Sequence, residues 1–356
     1  MSEVRAKKAL GQHFLVDLNI ARKICDALSG GVRPEAGAET RAVAAGSADA
    51  DAETRTRAAG YAGAGAEART MAAGSADAGA EARTKATGTA DADAETRRGV
   101  AASADARLAA DTTAAGAPAA AEEERSGAVP CDVLEVGCGM GVLTQFLLRR
   151  GDITTYGAEI DPESVEYLHA HFPEFAPRLI EGDFLKMNLR ERFPRGLKII
   201  GNFPYNISSQ IFFKVLEHRD LVPECVGMIQ KEVAVRIAEP PGSKEYGILS
   251  VLLQAWYDIE YLFTVNETVF NPPPKVKSAV IRLRRNSVGR LGCDEALFVK
   301  VVKASFGQRR KMIRNSLRAV FGDFGGAEHP FFTQRAEQLS VADFVQLTDW
   351  VAANRK

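Results

Sequence analysis

Residues 133–141 read Val-Leu-Glu-Val-Gly-Cys-Gly-Met-Gly, an apolar run that enters a turn with three glycines. A second apolar run, residues 142–148, follows at once. A buried strand, a glycine turn and an apolar helix form the first half of a βαβ unit. Glycine permits the tight turn and lets a ligand approach the backbone closely. The stretch therefore predicts a parallel α/β sheet with a ligand site at the end of its first strand.

Further apolar runs continue this pattern along the chain. The predicted strands cover residues 155–160, 179–181, 197–200 and 226–230, and residues 209–216 form one of the helices between them. Strands that alternate with helices form a mostly parallel sheet covered on both faces. Ligands of such sheets bind at the carboxyl ends of the strands. Glu159, Asp183 and Asn202 lie at such ends, so we expect them to meet beside the glycine turn.

The fourth predicted strand leads into residues 201–206, Gly-Asn-Phe-Pro-Tyr-Asn. The Asn202 side-chain oxygen and the Pro204 carbonyl both accept hydrogen bonds, and the Tyr205 ring can stack on a flat base. Two acceptors could hold the N–H bonds of adenine N6 and draw its delocalised lone pair toward tetrahedral geometry. Methylation of a base amine is one interpretation of these residues. An ordinary strand-end turn is an equally good interpretation of the tetrapeptide alone.

The glycine turn also leaves two interpretations open. Glu159 lies 22 residues after Gly137, where a carboxylate would bind the hydroxyls of a ribose. A nicotinamide-dependent dehydrogenase has a similar layout, although its glycine spacing is G-x-G-x-x-G and the spacing here is G-x-G-x-G. Asp183, placed to accept from an adenine amine, and the turn at Asn202 favour a methyltransferase. S-adenosylmethionine is the cofactor that this interpretation implies.

Residues 35–128 have a different composition from the rest of the chain. Glutamates recur every 14 residues at Glu39, Glu53, Glu67, Glu81 and Glu95. Alanine, glycine and threonine fill most of the remaining positions, and large apolar residues are rare. A segment with so little apolar surface cannot offset the entropy lost on ordering. We therefore predict a disordered, repeat-expanded insertion between a short N-terminal segment, residues 1–34, and the rest of the fold.

The charge of the chain is unevenly distributed. The 94-residue insertion carries 10 Lys/Arg and 16 Asp/Glu, whereas the other 262 residues carry 35 and 30. Residues 281–318 alone hold 11 Lys/Arg against Asp294 and Glu295. A basic patch of this kind is typical of a polyanion site, although a charge run is more often a solvated face.

The C-terminal part of the chain is predicted to be helical, with helices near residues 298–306, 308–320 and from 341 onward. The candidate RNA-binding residues are the cations on the first two of these helices: Lys300, Lys303, Arg309, Arg310, Lys311 and Arg314. At helical spacing Arg310 and Arg314 would share one face.

Several classes of protein are disfavoured. The chain has no apolar N-terminal run and no stretch of about 18 apolar residues, so neither a signal peptide nor a membrane span is expected. Its 5 cysteines lack a C-x-x-C pair, which is typical of reduced thiols in a cytoplasm. We expect no metal site.

The motifs together resemble the KsgA-type small-subunit ribosomal RNA adenine N6,N6-dimethyltransferases. The resemblance covers nearly everything outside residues 35–128. Besides residues 134–144 and 202–205, the matching segments are residues 8–17, 230–236, 246–254, 270–278 and 306–317. The sequence departs from the family pattern at Cys138, where Pro is usual, and at Phe203, where Leu is commoner.

The resemblance implies a Rossmann-like methyltransferase domain, residues 129–290, and a small helical RNA-binding domain, residues 291–356. It implies S-adenosylmethionine contacts from His13, Leu15, Gly137, Gly139, Glu159, Asp183 and Asn202. Asn202, Pro204 and Tyr205 would hold the target adenine, with Phe270 as a second stacking face. The implied substrate is a pair of adjacent adenosines in the 3′-terminal hairpin of 16S rRNA in the assembling small subunit. A cytoplasmic monomer is expected.

Two other functions use the same fold. A large-subunit rRNA adenine methyltransferase shares the catalytic turn, but residues 230–233 and 308–317 favour the small-subunit type. A non-catalytic RNA-binding assembly factor would have lost the acceptor motif, whereas Asn202, Pro204 and Tyr205 are all present.

Overall fold

A mixed α/β sheet is the centre of the computed structural model, which describes residues 4, 6–7, 10–30 and 130–355. The predicted disordered insertion, residues 35–128, lies outside these residues. The strands are, in chain order, β1 (Phe14–Leu15), β2 (Cys131–Val136), β3 (Ile153–Glu159), β4 (Leu179–Glu181), β5 (Lys198–Asn202), β6 (Glu224–Gln230), β7 (Tyr257–Val265), β8 (Phe270–Asn271) and β9 (Ser278–Arg285).

Seven of these strands form one sheet in the order β4-β3-β2-β5-β6-β9-β7. Strands β4 to β6 run parallel, and β9 and β7 complete the sheet with antiparallel pairing. Strands β1 and β8 form a separate antiparallel ribbon, in which Leu15 lies opposite Phe270. The mostly parallel sheet predicted from the alternating pattern is thereby confirmed.

Helices cover the sheet. They are α1 (Leu18–Ala27), α2 (Thr144–Leu147), α3 (Pro162–His171), α4 (Leu189–Arg192), α5 (Ser208–Glu217), α6 (Lys231–Ala238), α7 (Ile248–Gln254), α8 (Glu295–Gly307), α9 (Ile313–Phe321) and α10 (Val341–Asn354). Side-chain caps explain where several of them begin: Asp17, Asp294 and Ser340 each accept a backbone N–H from the first turn of α1, α8 and α10.

The parallel register brings the carboxyl ends of the strands together. Val136 at the end of β2 lies opposite Ala158, so the next residue of β3 is Glu159. Ile200 of β5 lies opposite Glu135, and Asn202 follows two residues later. All six residues of β2 are buried, as expected for a strand covered on both faces. The predicted meeting of the glycine turn, Glu159 and Asn202 therefore follows from the register.

Phe203 packs into the core within the turn that follows β5. Its side chain is 1% exposed and meets Phe212 edge to face, with ring centroids 5.8 Å apart. The ring lies over two glycines: a Cβ on Gly227 would be 2.4 Å from Phe203 Cε2, and a Cβ on Gly201 would be 2.9 Å from Cδ1. The larger ring at a position where Leu is commoner is accommodated because these two strand positions lack side chains.

The C-terminal helices share a hydrophobic cluster with the sheet layer: Phe298 of α8 meets Trp256 edge to face at 6.0 Å. The helix predicted over residues 308–320 is shorter than expected. Helix α9 begins at Ile313, and residues 308–311 form a turn closed by the Lys311 N–H and the Gln308 carbonyl. A domain division at residue 291 stays a prediction.

A buried ion pair lies at the amino-terminal ends of strands β5 and β6. Lys198 at the start of β5 lies 3.1 Å from Glu224 at the start of β6, and both are nearly inaccessible. The Lys198 ammonium donates to the carbonyls of Ser29 at 3.0 Å and Gly30 at 2.9 Å, and Glu224 accepts the Ser29 N–H. Arg150 donates to the carbonyl of Leu28 at 3.0 Å. These bonds therefore fix the chain just after α1, as far as Gly30, against the amino-terminal ends of the strands.

Candidate active site

A cavity of about 210 Å³ lies at the carboxyl ends of the strands. Five segments line it: residues 10–15, the turn after β2, the end of β3, residues 182–185 and the turn after β5. All seven predicted cofactor residues line the cavity: His13, Leu15, Gly137, Gly139, Glu159, Asp183 and Asn202. The structure thus brings the predicted cofactor residues together.

The glycine turn adopts backbone conformations that other residues rarely reach. Gly137 and Gly139 have φ angles of 75° and 53°, in the left-handed region. A Cβ on Gly139 would also lie 3.1 Å from the Phe14 ring. The Gly139 N–H donates to Glu159 Oε2 at 2.8 Å. The turn is therefore held against the carboxylate that closes the next strand.

Glu159 is 4% exposed and accepts three backbone N–H bonds. Burial raises the pKa of Glu159, and the N–H groups of Asp161, Gly139 and Ile160 offset only part of that effect. Oε1 accepts from Ile160 and Asp161, whereas Oε2 accepts only from Gly139 among the described residues. Because a carboxylate oxygen accepts two hydrogen bonds, Oε2 keeps a site for a hydroxyl in the cavity.

Asp183 follows β4 and caps a short helical turn, with Oδ1 accepting the Leu185 N–H at 2.9 Å. Its second oxygen lies 3.7 Å from the Lys186 ammonium, which is 86% exposed. This oxygen remains able to accept from a ligand amine.

Glu135 is a lining residue that the sequence interpretation missed. It is 1% exposed, and Oε2 accepts the Thr144 hydroxyl at 2.6 Å. Burial raises the pKa of Glu135 to about 8, and the nearby charge of Glu159 acts in the same direction. The sequence contained a signal for it, because Glu135 is the only charged residue within the apolar run of residues 133–136.

The lining fits a cofactor with a cationic centre and ribose hydroxyls. Among the described residues, the carboxyl groups in the lining are those of Glu135, Glu159 and Asp183, and none of the lining residues is a lysine or an arginine. S-adenosylmethionine has a sulfonium, an amino group, a ribose and an adenine amine, each of which such oxygens can bind. This set of hydrogen-bond acceptors is therefore consistent with the cofactor predicted from the sequence.

Asn202 is oriented by the N-terminal segment. Its Nδ2 donates to the His13 carbonyl at 2.9 Å. A carbonyl only accepts, so this bond fixes Nδ2 on that side and leaves Oδ1 as a free acceptor. The Pro204 carbonyl accepts the Ile207 N–H at 3.1 Å and keeps its second lone pair. Both predicted acceptors therefore have capacity for an incoming amine.

Tyr205 stands beside these acceptors. Its hydroxyl bonds the Ser278 hydroxyl at 2.5 Å, and its ring lies 5.4 Å from that of His13 at an interplanar angle of 31°. Burial raises the pKa of Tyr205, so the phenol is neutral at physiological pH. The His13 Nδ1 lies 2.9 Å from the Pro272 carbonyl. Contacts among three chain segments therefore hold the Tyr205 ring in place.

Phe270 is placed differently from its predicted role. It is 4% exposed and packs in a core cluster with Leu15, Val265 and Val280. It is not among the residues that line the cavity. The described conformation presents no Phe270 face to a base, and its stacking role stays a prediction.

The predicted RNA-binding cations fall into two groups. Lys300 and Lys303 are exposed on α8, as expected. Arg309, Arg310 and Lys311 were predicted on a helix, and this is wrong: they lie in the turn before α9.

Two of these arginines have partners within the fold. The Arg309 guanidinium donates to the carbonyls of Lys244 and Tyr246. Arg314 pairs with Glu328 at 2.5 Å. Arg310 and Lys311 are exposed, and they are the better candidates for contact with phosphates.

Comparisons with known proteins now decide the class of this site. A profile of the ribosomal RNA adenine dimethylase family matches residues 130–353. The chain belongs to this family. It is 61% identical over 218 residues to the ribosomal RNA small subunit methyltransferase A of Parabacteroides distasonis, covering 61% of this chain and 81% of that protein. The corresponding protein of Porphyromonas gingivalis is 59% identical over 220 residues, covering 61% and 84%.

Among solved structures, a dimethyladenosine transferase from Plasmodium falciparum matches with a TM-score of 0.53 and 26% identity, covering 63% of this chain and 90% of that one. Membership of the adenine dimethylase family confirms the predicted enzyme class, its fold and its use of S-adenosylmethionine. It also excludes the dehydrogenase interpretation. No helix within the described ranges has the length and apolar character needed to cross a bilayer.

Proposed function

We propose that this adenine dimethylase methylates N6 of two adjacent adenosines, twice each, in the 3′-terminal hairpin of small-subunit rRNA. The observation that carries the proposal is a pair of acceptors with remaining capacity, Asn202 Oδ1 and the second lone pair of the Pro204 carbonyl, beside Tyr205 in the lining of the cofactor cavity. The small-subunit target is supported by the names of relatives up to 61% identical.

The chemistry assigned to the chain is positioning and polarisation. S-adenosylmethionine supplies an activated methyl group when bound. Glu159 and Asp183 would hold the ribose and adenine of the cofactor at the strand ends. Asn202 Oδ1 and the Pro204 carbonyl each accept one N–H of the target amine, which draws the nitrogen lone pair out of conjugation and toward the methyl group. The amine proton leaves to solvent after transfer.

Tyr205 restricts the target base. A base stacked on its ring is worth about 1–3 kcal/mol, and the bond to Ser278 prevents the ring from rotating away. The Pro204 carbonyl is fixed by the backbone, and the Asn202 side chain is held by the His13 carbonyl. Both acceptors therefore need little reorganisation when the base arrives. After the first transfer, a monomethylated amine still has one N–H for one acceptor, which allows a second methylation.

Docking of the RNA is assigned to the exposed cations of the C-terminal helices and the turn between them, chiefly Lys300, Lys303, Arg310 and Lys311. Contacts with phosphates add affinity without reading sequence. The enzyme is proposed to act as a monomer in the cytoplasm on the assembling small subunit.

Methylation of separated ribosomal subunits tests this proposal. The full-length protein should transfer labelled methyl groups to unmethylated small subunits, up to four per particle under the proposed reaction, and not to large subunits. Asn202→Ala should abolish transfer while RNA binding persists, whereas Asn19→Ala, an exposed amide on α1, should behave as wild type. Label in the large subunit would assign the enzyme to the large-subunit class. Binding without transfer by the wild type would indicate the assembly-factor class.

A further inference from the structure

The described part of the N-terminal segment crosses the cofactor cavity from one wall to the other. We call Lys7 together with residues 10–15 the N-terminal strap. Residues 10–15 line the cavity. On the target-base side the strap is tied through His13, whose carbonyl accepts from Asn202 and whose Nδ1 meets the Pro272 carbonyl.

On the cofactor side the strap is tied to one carboxylate, that of Asp161. Its side chain is fully buried, and it accepts from the Lys7 ammonium, from Gln12 Nε2 at 3.4 Å and from the Ser164 hydroxyl at 3.0 Å. The Asp161 N–H donates to Glu159 Oε1 at 2.9 Å. Asp161 therefore joins the strap directly to the residue that closes β3.

The charge on Asp161 depends on the strap. Burial raises the pKa of its carboxyl, but the hydrogen bonds from Lys7, Ser164 and Gln12 outweigh burial, and the pKa is lowered. Removing one partner of such a pair leaves a buried charge uncompensated, which is costly. The ion pair with Lys7 thus favours the conformation in which the strap covers the cavity.

Lys7 has further bonds that point the same way. Its ammonium lies 3.1 Å from Glu163, and its backbone N–H donates to Gln12 Oε1 at 2.8 Å. Lys7 and Gln12 therefore bind each other as well as Asp161. Lys7 itself does not line the cavity, so its contribution acts through the strap and not through contact with the cofactor.

We propose that the Lys7–Asp161 ion pair is a latch that holds the strap over the cofactor. Both residues are then positioning residues. They set how long the cofactor and its demethylated product stay bound. Lifting the strap from a ligand beneath residues 10–15 breaks the ion pair. The proposal rests on S-adenosylmethionine as cofactor and is independent of which rRNA is the target.

The test compares Lys7→Ala and Lys7→Arg with Lys23→Ala, a control that removes an exposed cation of α1. Three quantities are measured on the full-length protein: amide hydrogen exchange of residues 10–15 without ligand, the dissociation rate of S-adenosylhomocysteine, and the methylation rate at saturating cofactor. Lys7→Ala should speed exchange in residues 10–15 and raise the dissociation rate about three- to tenfold. Its rate at saturating cofactor should stay near that of the wild type.

Lys7→Arg keeps the charge and should retain slow dissociation, which a role of Lys7 in packing alone would not predict. Wild-type exchange and wild-type dissociation in Lys7→Ala would overturn the latch, as would an arginine variant as impaired as the alanine variant. Asp161→Asn, if it folds with an unchanged thermal midpoint, should reproduce Lys7→Ala. A wild-type protein that binds cofactor but methylates neither subunit would refute the proposed target and leave the latch result standing.

Discussion

The fit of Phe203 between two glycines leads to a prediction about coupled substitutions. A Cβ on Gly227 would lie 2.4 Å from Phe203 Cε2, closer than real Cβ contacts. Gly227→Ala should therefore destabilise the protein because the Phe203 ring must move. In a Phe203→Leu background the obstructing ring carbon is absent, and the same substitution should be neutral or mildly stabilising.

The magnitude follows from packing. Overpacking a core by one methyl group costs about 1–3 kcal/mol, whereas alanine in place of glycine within a strand gains roughly 0.5–1 kcal/mol. The gain from alanine is common to both backgrounds, so the difference between them should equal the overpacking cost of about 1–3 kcal/mol, above the additivity error of about 0.5 kcal/mol. Phe203→Leu alone should cost about 1 kcal/mol, since a smaller side chain leaves part of the site unfilled.

Equilibrium urea unfolding of the four proteins in the cycle measures this coupling. Gly201→Ala provides the matched control, because its Cβ would lie 2.5 Å from the Val136 carbonyl, a backbone atom that Phe203→Leu does not remove. It should remain destabilising in both backgrounds. If Gly227→Ala costs the same with Phe203 and with Leu at that position, the ring is not what requires glycine, and the packing argument is refuted.

Three further predictions concern the cavity and the RNA. Glu159→Gln should weaken S-adenosylmethionine binding by about 1.5–3 kcal/mol in calorimetry, because ribose hydroxyls lose a charged acceptor; unchanged affinity would remove Glu159 from the site. Between pH 4.5 and about 8 the folded protein keeps a proton on Glu135 that the unfolded chain releases, so stability should fall as pH rises through this window. Glu135→Gln should remove that fall in urea titrations at several pH values, and an unchanged profile would mean that Glu135 is already ionised. The double variant Arg310→Ala, Lys311→Ala should bind small subunits more weakly and reduce the salt slope by about two charge units, whereas an unchanged slope would assign both residues to a solvated turn.

The sheet and the meeting of its strand ends could be predicted because both follow from local patterns. The buried strands appear as apolar runs, and a parallel register leaves little freedom in where Glu159 and Asn202 lie. The site chemistry near the turn was readable for the same reason, since Asn202, Pro204 and Tyr205 are contiguous.

What could not be predicted depends on contacts between distant parts of the chain. The helix expected over residues 308–320 begins only at Ile313, because the Ile313 N–H donates to the Gln334 carbonyl and Arg309 is drawn to the carbonyls of Lys244 and Tyr246. Phe270 was expected at the base, but it pairs with Leu15 across the ribbon and enters the core. Neither contact leaves a trace in local sequence.

The ion pair at the amino-terminal ends of β5 and β6 has a consequence for protein engineering. The chain leaves the described fold at Gly30, bound by Lys198, and returns at the start of β2, where Cys131 lies opposite Ile153. Gly30 and Cys131 both lie at the amino-terminal ends of the strands, whereas the cavity lies at the carboxyl ends. Along β5 these ends are about 13 Å apart, measured from Lys198 to Asn202. Foreign sequence joined here would be attached at the end of the strands opposite the cavity. This position is therefore a suitable insertion site for a fluorescent or affinity tag that reports on subunit assembly while the enzyme continues to methylate.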